Sequence, residues 1–210
     1  MVMASSPRRV GAEKSKTRDV LLDSVEKMML DTGYASVTYR SLAAEAGVTA
    51  SLVQYYFPTL DDIFRAAIAR YTNRNLAVLQ SALQKRAEDP LHVLWEYSWD
   101  EATSALMTEF MALGNHRESI RAEIAEVTER VRQLQMEAVA RKFGPDARPD
   151  GRLSLGAMVL LITGIPKFLN LESGIGVDTA HAEVVEALEG YIDSVEPRIT
   201  QTARTKRPRT

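Results

Sequence analysis

Thr38 and Thr49 are the residues whose type and placement point most directly to chemistry, and that chemistry is hydrogen bonding at helix ends. Each stands immediately before a short helical pattern, where a threonine hydroxyl can accept a hydrogen bond from an orphan backbone N–H. Two short capped helices are predicted, Tyr39 to Ala46 and Ala50 to Phe57. Ala43 and Gly47 supply a small residue and a turning residue between them, as two helices crossing at a steep angle require. Leu42, Ala46, Val48, Val53 and Tyr56 can then close a small core. Thr49, Ala50, Ser51, Gln54 and Tyr55 are left on the outer face, small or polar enough to enter a major groove that admits one helix. The competing reading is a helical hairpin that only packs, with both threonines as plain caps.

Covalent and acid–base chemistry find no comparable arrangement. His92, His116 and His181 are scattered without metal-ligand spacing, and there is no phosphate-cradling GxxxxGK run, no GxGxxG and no GxSxG elbow. Pairs such as Asp61 with Asp62, or Asp100 with Glu101, read as solvated helix faces. The chain contains no cysteine, which removes disulfides, thiolate metal sites and cysteine nucleophiles together and suits a reducing cytoplasm. The expectation is a cytoplasmic non-enzyme with no catalytic residue, no metal and no cofactor.

The elements that must hold the threonines are all helical, because periodicity after Lys16 is near 3.6 and glycines or prolines punctuate it. Val20 to Leu30 puts Leu21, Val25, Met28 and Met29 on one face and stops at Gly33. Leu60 to about Arg86 forms a long helix with Ile63, Phe64, Ala67, Ile68 and Tyr71 inward and Asp61 and Asp62 in its first turn. A stripe from Leu91 to Leu113 follows, with a break between 98 and 104 left open. Arg117 to Lys142, Arg152 to Leu171 and Thr179 to Val195 complete an all-α fold of about nine helices.

Hydrophobic residues at 45% and charged residues at 26% place the 210-residue chain among ordinary globular proteins. The basic N-terminal stretch lacks the apolar run of a secretory signal, and the apolar stretch Ala157 to Pro166 is about half the roughly 20 residues of a membrane span. Neither export nor a membrane partner is expected. Net charge is −2, but the first 18 residues carry +4 and residues 197–210 carry +5, so the body from 19 to 196 carries −11. Such a body repels polyphosphate except where local geometry presents donors. The tails read either as solvated disordered termini or, at the N-terminus, as an arm of Arg8, Arg9, Lys14, Lys16 and Arg18 reaching the DNA backbone or minor groove.

The run from Gly33 to Phe64, GYASVTYRSLAAEAGVTASLVQYYFPTLDDIF, closely resembles the DNA-binding module of TetR-family repressors. It shows Gly33 with Tyr34, Thr38, Ala43, Ala46 with Gly47 and Val48, Thr49, and Tyr56 with Phe57, over a motif-level likeness of residues 17–68. The resemblance implies a helix-turn-helix that grips operator DNA. Thr38 and Thr49 would meet phosphates, with further phosphate contacts from Tyr55, Tyr56 and Thr59, and Tyr39 and Ala50 would belong to the same DNA-binding surface. Arg40, Ser51 and Gln54 would face base edges, Gln54 suited to an adenine and Arg40 to a guanine. Two departures stand out: the family commonly has tyrosine at Gln54 and lysine at Leu60, which removes a phosphate contact and alters readout.

The same resemblance implies a homodimeric repressor, since helix-turn-helix proteins place two copies about one DNA turn apart. Leu155, Val159, Ile162, Val184, Leu188 and Tyr191 are the expected dimer contacts, an intramolecular core being the alternative. Trp95, Trp99, Met107, Phe110, Met111, Met136 and Phe168 are the expected wall of a pocket for a small, mostly hydrophobic effector, although such residues at helical spacing also make plain core. The expected organisation is a disordered basic arm over 1–16, a DNA-binding domain over 17–62, an effector and dimerisation domain over 63–197 and a disordered basic tail over 198–210. The rival functions are a helical adaptor that binds protein without DNA readout and a helical enzyme.

Overall fold

The computed structural model describes residues 15–198, without the side chains of 101–103; Arg8, Arg9 and Lys14 of the basic arm and residues 199–210 of the tail lie outside it. The described chain is all-α. Its helices are α1 (Lys16–Thr32), α2 (Tyr39–Glu45), α3 (Ala50–Tyr56), α4 (Leu60–Lys85), α5 (Pro90–Ser98), α6 (Glu101–His116), α7 (Glu118–Phe143), α8 (Leu155–Gly174) and α9 (His181–Val195), with a 3-10 turn at Tyr34–Ser36.

Two compact units are formed, the first from the described residues up to Gln80 together with Asp100–Val131. The first unit is built on one apolar cluster. Leu21, Leu22, Val25 and Met29 of α1 meet Leu42 of α2, Val53 of α3, Ile63, Phe64, Ala67 and Ile68 of α4, and Leu106, Phe110 and Leu113 of α6. Leu21, Val25, Leu42, Val53 and Ile63 are wholly buried, and each aliphatic side chain so buried is worth about 1.5–3 kcal/mol. Charge then fixes α4 on α1. Arg70 donates to Glu26 through Nε at 3.0 Å and Nη2 at 2.8 Å and pairs with Asp23 at 2.8 Å, while Arg74 adds a 3.1 Å bond to Glu26. Glu26 is mostly shielded, so this pair is screened less than the exposed ones.

The second unit holds Ser81–Trp99 and the described residues from Arg132 onward. Here α5 packs along α8. Pro90 starts α5, where a missing N–H costs nothing, and Leu91, His92, Val93, Leu94 and Trp95 are all buried. The inward side of α8 carries Leu155, Met158, Val159, Ile162, Thr163, Pro166 and Leu169. At 20 residues α8 is twice the apolar stretch seen in the sequence, and by length and composition alone it would suffice to cross a membrane; the buried share of that stretch packs inside this unit instead.

Three of the expected dimer contacts need correction. Leu155, Val159 and Ile162 point into their own unit and are almost fully buried there, because α8 is apolar nearly all round and this side meets α5. The apolar residues that α8 leaves outside are Leu160, Leu161, Phe168 and Leu171. On α9, Val184 and Leu188 are half-buried, and the Tyr191 hydroxyl donates to Asp150 at 3.0 Å within the same chain. Burial first, and then that hydrogen bond to Asp150, push the Tyr191 phenol up to about 12. The chain of residues 91–113 does break: α5 ends at Ser98 and α6 begins at Glu101.

The expected effector residues divide between the units. Phe110 is a core residue of the first, edge-on to Tyr71 at 5.5 Å, and Met107 packs against the same core while Met111 is exposed. In the second, Trp95 and Trp99 meet edge-to-face at 5.3 Å, Met136 reaches Gly156, and Phe168 is more than half exposed. Phe110 therefore packs within the core of the first unit.

Candidate nucleic-acid interface

α2 and α3 owe their ends to side chains that the sequence places there. Thr38 has an extended backbone, and its Oγ1 accepts from the Ser41 N–H at 3.1 Å while the Ser41 hydroxyl accepts from the Thr38 N–H at 2.9 Å. That reciprocal pair satisfies two orphan groups at once. Ser41 was not among the expected site residues, although its position three after Thr38 is the signal for such a box. Thr49 caps α3 by accepting from the Leu52 N–H at 3.3 Å. Each helix is only seven residues, about 10 Å of axis, so these caps carry a large share of its local definition.

The turn between them works through backbone geometry. Gly47 has φ +65°, the left-handed region, and a Cβ there would meet nothing within 4 Å. Glycine is required for conformation and not for space. Ala43, by contrast, is buried in the shared core, where a small side chain lets the two backbones approach. Val53 turns inward and is wholly buried, whereas Ser51, Gln54 and Tyr55, at i, i+3 and i+4, lie together on the exposed side of α3. Thr38, Arg40, Thr49 and Ala50 are exposed as well.

Three aromatic or hydroxyl residues expected at the DNA surface make hydrogen bonds within the protein. The Tyr39 hydroxyl donates to the Phe57 carbonyl at 3.1 Å, tying α2 to the end of α3; burial, then the charge of Asp62, push its phenol up and keep that proton in place. Tyr56 shares a 3.0 Å hydrogen bond with Ser15 and is half-buried. Thr59 donates its hydroxyl to Asp62 at 2.7 Å, gives its N–H to the same carboxylate at 2.9 Å and accepts from the Asp62 N–H at 3.1 Å. This is a second capping box, now at α4, and it sets a negative charge beside the hydroxyl that a phosphate would need. In this arrangement Thr59 and Tyr39 position the helices. Tyr55, edge-on to Tyr56 at 5.3 Å and over half exposed, is the tyrosine free to reach outward.

Charge on this face is sparse. Between Thr38 and Thr59 the sequence has only Arg40 and Glu45 as charged residues, and Glu45 is paired with Lys27 of α1 at 2.6 Å. Nearby, Arg18 stacks over Phe57 at 5.1 Å and so remains a cation at the edge of α3. Behind α3, Glu109 of α6 accepts the Tyr34 N–H at 2.7 Å, and Asp61 of α4 accepts from Arg117 at 2.7 Å and from Ser119. The Ser119 bond first, then Arg117, hold the Asp61 carboxyl below the usual range. An exposed polar face of this size, backed by a rigid core and fixed at both ends, matches a helix presented to a groove.

Residues 21–67, which contain α2, α3 and the turn between them, match the family of bacterial regulatory proteins called tetR. That stretch is similar to the DNA-binding module of the TetR family. The chain is 26% identical over 145 residues to the HTH-type transcriptional repressor BepR of Brucella suis, a match covering 65% of this chain and 68% of that protein. Solved structures share the fold at lower identity. A TetR transcription regulator from Haloarcula marismortui superposes with a TM-score of 0.65 at 17% identity, covering 86% of this chain and 98% of that one. The fatty acid degradation regulator FadR from Bacillus halodurans gives 0.64 at 14%, covering 90% and 99%. Of the two departures from the TetR pattern, Gln54 is exposed on the outer side of α3 and Leu60 is half-buried at the start of α4.

Proposed function

We propose that this TetR-family chain is a cytoplasmic repressor that binds a palindromic operator as a homodimer and is released by a small, mostly hydrophobic effector. The observation that carries the DNA reading is the split of α3, with Val53 sealed in the core while Ser51, Gln54 and Tyr55 stand outside it. Ser51, Gln54 and Arg40 read base edges, and Thr38, Thr49 and Tyr55 meet the backbone. Residues 17–62 are the DNA-binding domain and 63–197 the region for effector and partner.

Repression is supported by the relative from Brucella suis, whose name describes a repressor. Dimerisation is supported by the apolar residues that α8 leaves uncovered, Leu160, Leu161, Phe168 and Leu171, beside the half-buried Val184 and Leu188 of α9. Release requires an effector that binds the DNA-free state more tightly than the bound one, and Trp95, Trp99 and Met136 are its candidate contacts.

Selection of bound sequences from random duplex DNA tests the reading. A palindrome with half-sites about one helical turn apart is expected. Recovery of no consensus, together with binding whose salt dependence is flat, would leave a protein-binding adaptor in its place.

A further inference from the structure

The 3-10 turn that leads into α2 is held by a residue far from it in sequence. Gly33 stands before the turn with φ +82°, in the left-handed region, and brings no side chain to the Tyr34 N–H, one of the donors that the start of a turn leaves without an internal partner. Glu109 of α6, 75 residues away, accepts that N–H at 2.7 Å, and a Cβ on Gly33 would lie 3.5 Å from the same carboxylate oxygen. About two turns further along α6, the His116 ring stacks on Tyr34 at 6.1 Å between ring centres. Leu106, Phe110 and Leu113 share that side of α6 and are buried in the core of the first unit, to which both helix and turn belong.

From this turn, hydrogen bonds continue to the start of α2. The Ser36 carbonyl accepts from the Ser41 hydroxyl at 2.7 Å, and that hydroxyl accepts from the Thr38 N–H at 2.9 Å, one half of the box that caps the helix. α2 packs on α3, and the Val48 N–H donates to the Ala43 carbonyl at 2.9 Å across the bend, so the pair follows the turn as one piece. Apolar packing holds α6 against the module without preferring a direction, whereas a charge-assisted hydrogen bond fixes both distance and angle. Arg117 fastens the start of α4 through Asp61; the approach to α2 is fastened by Glu109 and His116.

We propose that Glu109 is a positioning residue for operator binding, which sets the angle at which α6 carries the α2–α3 pair and thereby the half-site spacing that two chains grip together. The inference deepens the operator reading above and rests on it. Glu109 touches no DNA in this role. It aims the helices that do, and the reading of bases within one half-site stays with Arg40, Ser51 and Gln54.

Two measurements on the full-length protein test this, with Glu109→Ala beside Glu109→Gln, which keeps an oxygen acceptor for the Tyr34 N–H. The first is binding to the selected palindrome, to the same palindrome with one base pair inserted between half-sites, and to a single half-site. The parent should prefer the correct spacing at least about ten-fold; Glu109→Ala should cut that preference to about three-fold or less with half-site affinity unchanged, and Glu109→Gln should restore it. The second needs no DNA. Spin labels at Ala44→Cys of α2 and Ala105→Cys of α6, both exposed in a chain without cysteine, report the distance between the two helices, which should be sharp in the parent and in Glu109→Gln and broad in Glu109→Ala. A sharp distance in Glu109→Ala, an unchanged spacing preference, or loss of half-site binding together with the fold in both variants would overturn the proposal. A parent that selects no DNA sinks the repressor reading and the proposal with it; a parent that reads spacing, with a Glu109→Ala variant that reads it equally well, sinks the positioning role alone.

Discussion

Gln54 and Tyr55 are neighbours in sequence to which the proposed DNA reading gives different tasks, and the difference follows from what each can offer DNA. An amide pairs with the N6 and N7 edge of adenine, information that varies from base to base, whereas a phenol donating to phosphate carries none. Gln54→Ala should therefore cost about 1–3 kcal/mol on the preferred half-site and relax preference at one position. Tyr55→Phe should weaken all sequences alike. Competition binding against a set of single-base operator variants distinguishes them, and uniform loss with Gln54→Ala would remove it from readout. Both residues are exposed, so thermal stability should hardly move. Tyr56 would have been the natural choice for a phosphate contact from sequence alone. Its hydroxyl bonds instead to Ser15, a pairing across 41 residues that no local pattern could disclose. Thr59 differs, since the Thr-x-x-Asp spacing that ends in Asp62 was readable as a capping box, and reading it would have withdrawn Thr59 from the DNA face.

At the scale of elements, α2 and α3 were legible to within a residue because their boundaries are local: a threonine hydroxyl at each start and a left-handed glycine between. The same local terms predict their fragility. Gly47→Ala forces an L-residue into φ +65° and should cost about 1–2 kcal/mol in urea unfolding, with Gly47→Asn costing less. No loss with alanine would show that the turn relaxes into another conformation. The break between α5 and α6 was undecidable from periodicity because Leu91 through Leu113 stay roughly in phase across it. α8 was read correctly as apolar and incorrectly as to which side faces inward, since a helix apolar nearly all round gives periodicity no face to choose. Joining the start of α4 to the turn between α6 and α7, the pair Asp61 with Arg117 carries a pH signature. Asp61 titrates below its unfolded value, so its stabilisation is fully present above about pH 4 and is lost as pH falls through the lower, folded value. Asp61→Asn should flatten the acid limb of unfolding free energy against pH while leaving its slope above pH 6 unchanged; an acid limb as steep as the parent's would assign that dependence to other carboxylates.

For the molecule as a whole, affinity has to be assembled from few charges. The sequence from Thr38 to Thr59 is neutral in sum, with Glu45 held by Lys27, so one module of this kind contributes little counterion release. Two modules on one duplex double it and add the specificity of a second half-site, which makes association of two chains a condition for useful binding. The apolar side of α8 left outside its own unit, with Phe168 56% and Leu160 53% exposed, is the surface through which that association would run. Phe168→Asp combined with Leu160→Asp should turn the proposed dimer into a folded monomer in sedimentation experiments, because neither side chain belongs to the buried stripe of Leu155, Val159 and Ile162. The monomer should keep helical content, lose at least about a hundredfold in affinity for the palindrome, and show a salt slope near half that of the parent. Retention of the parent slope by the variant would mean that one chain already makes all the phosphate contacts. A parent protein that sediments as a monomer on its own operator would move the search for a partner surface away from α8.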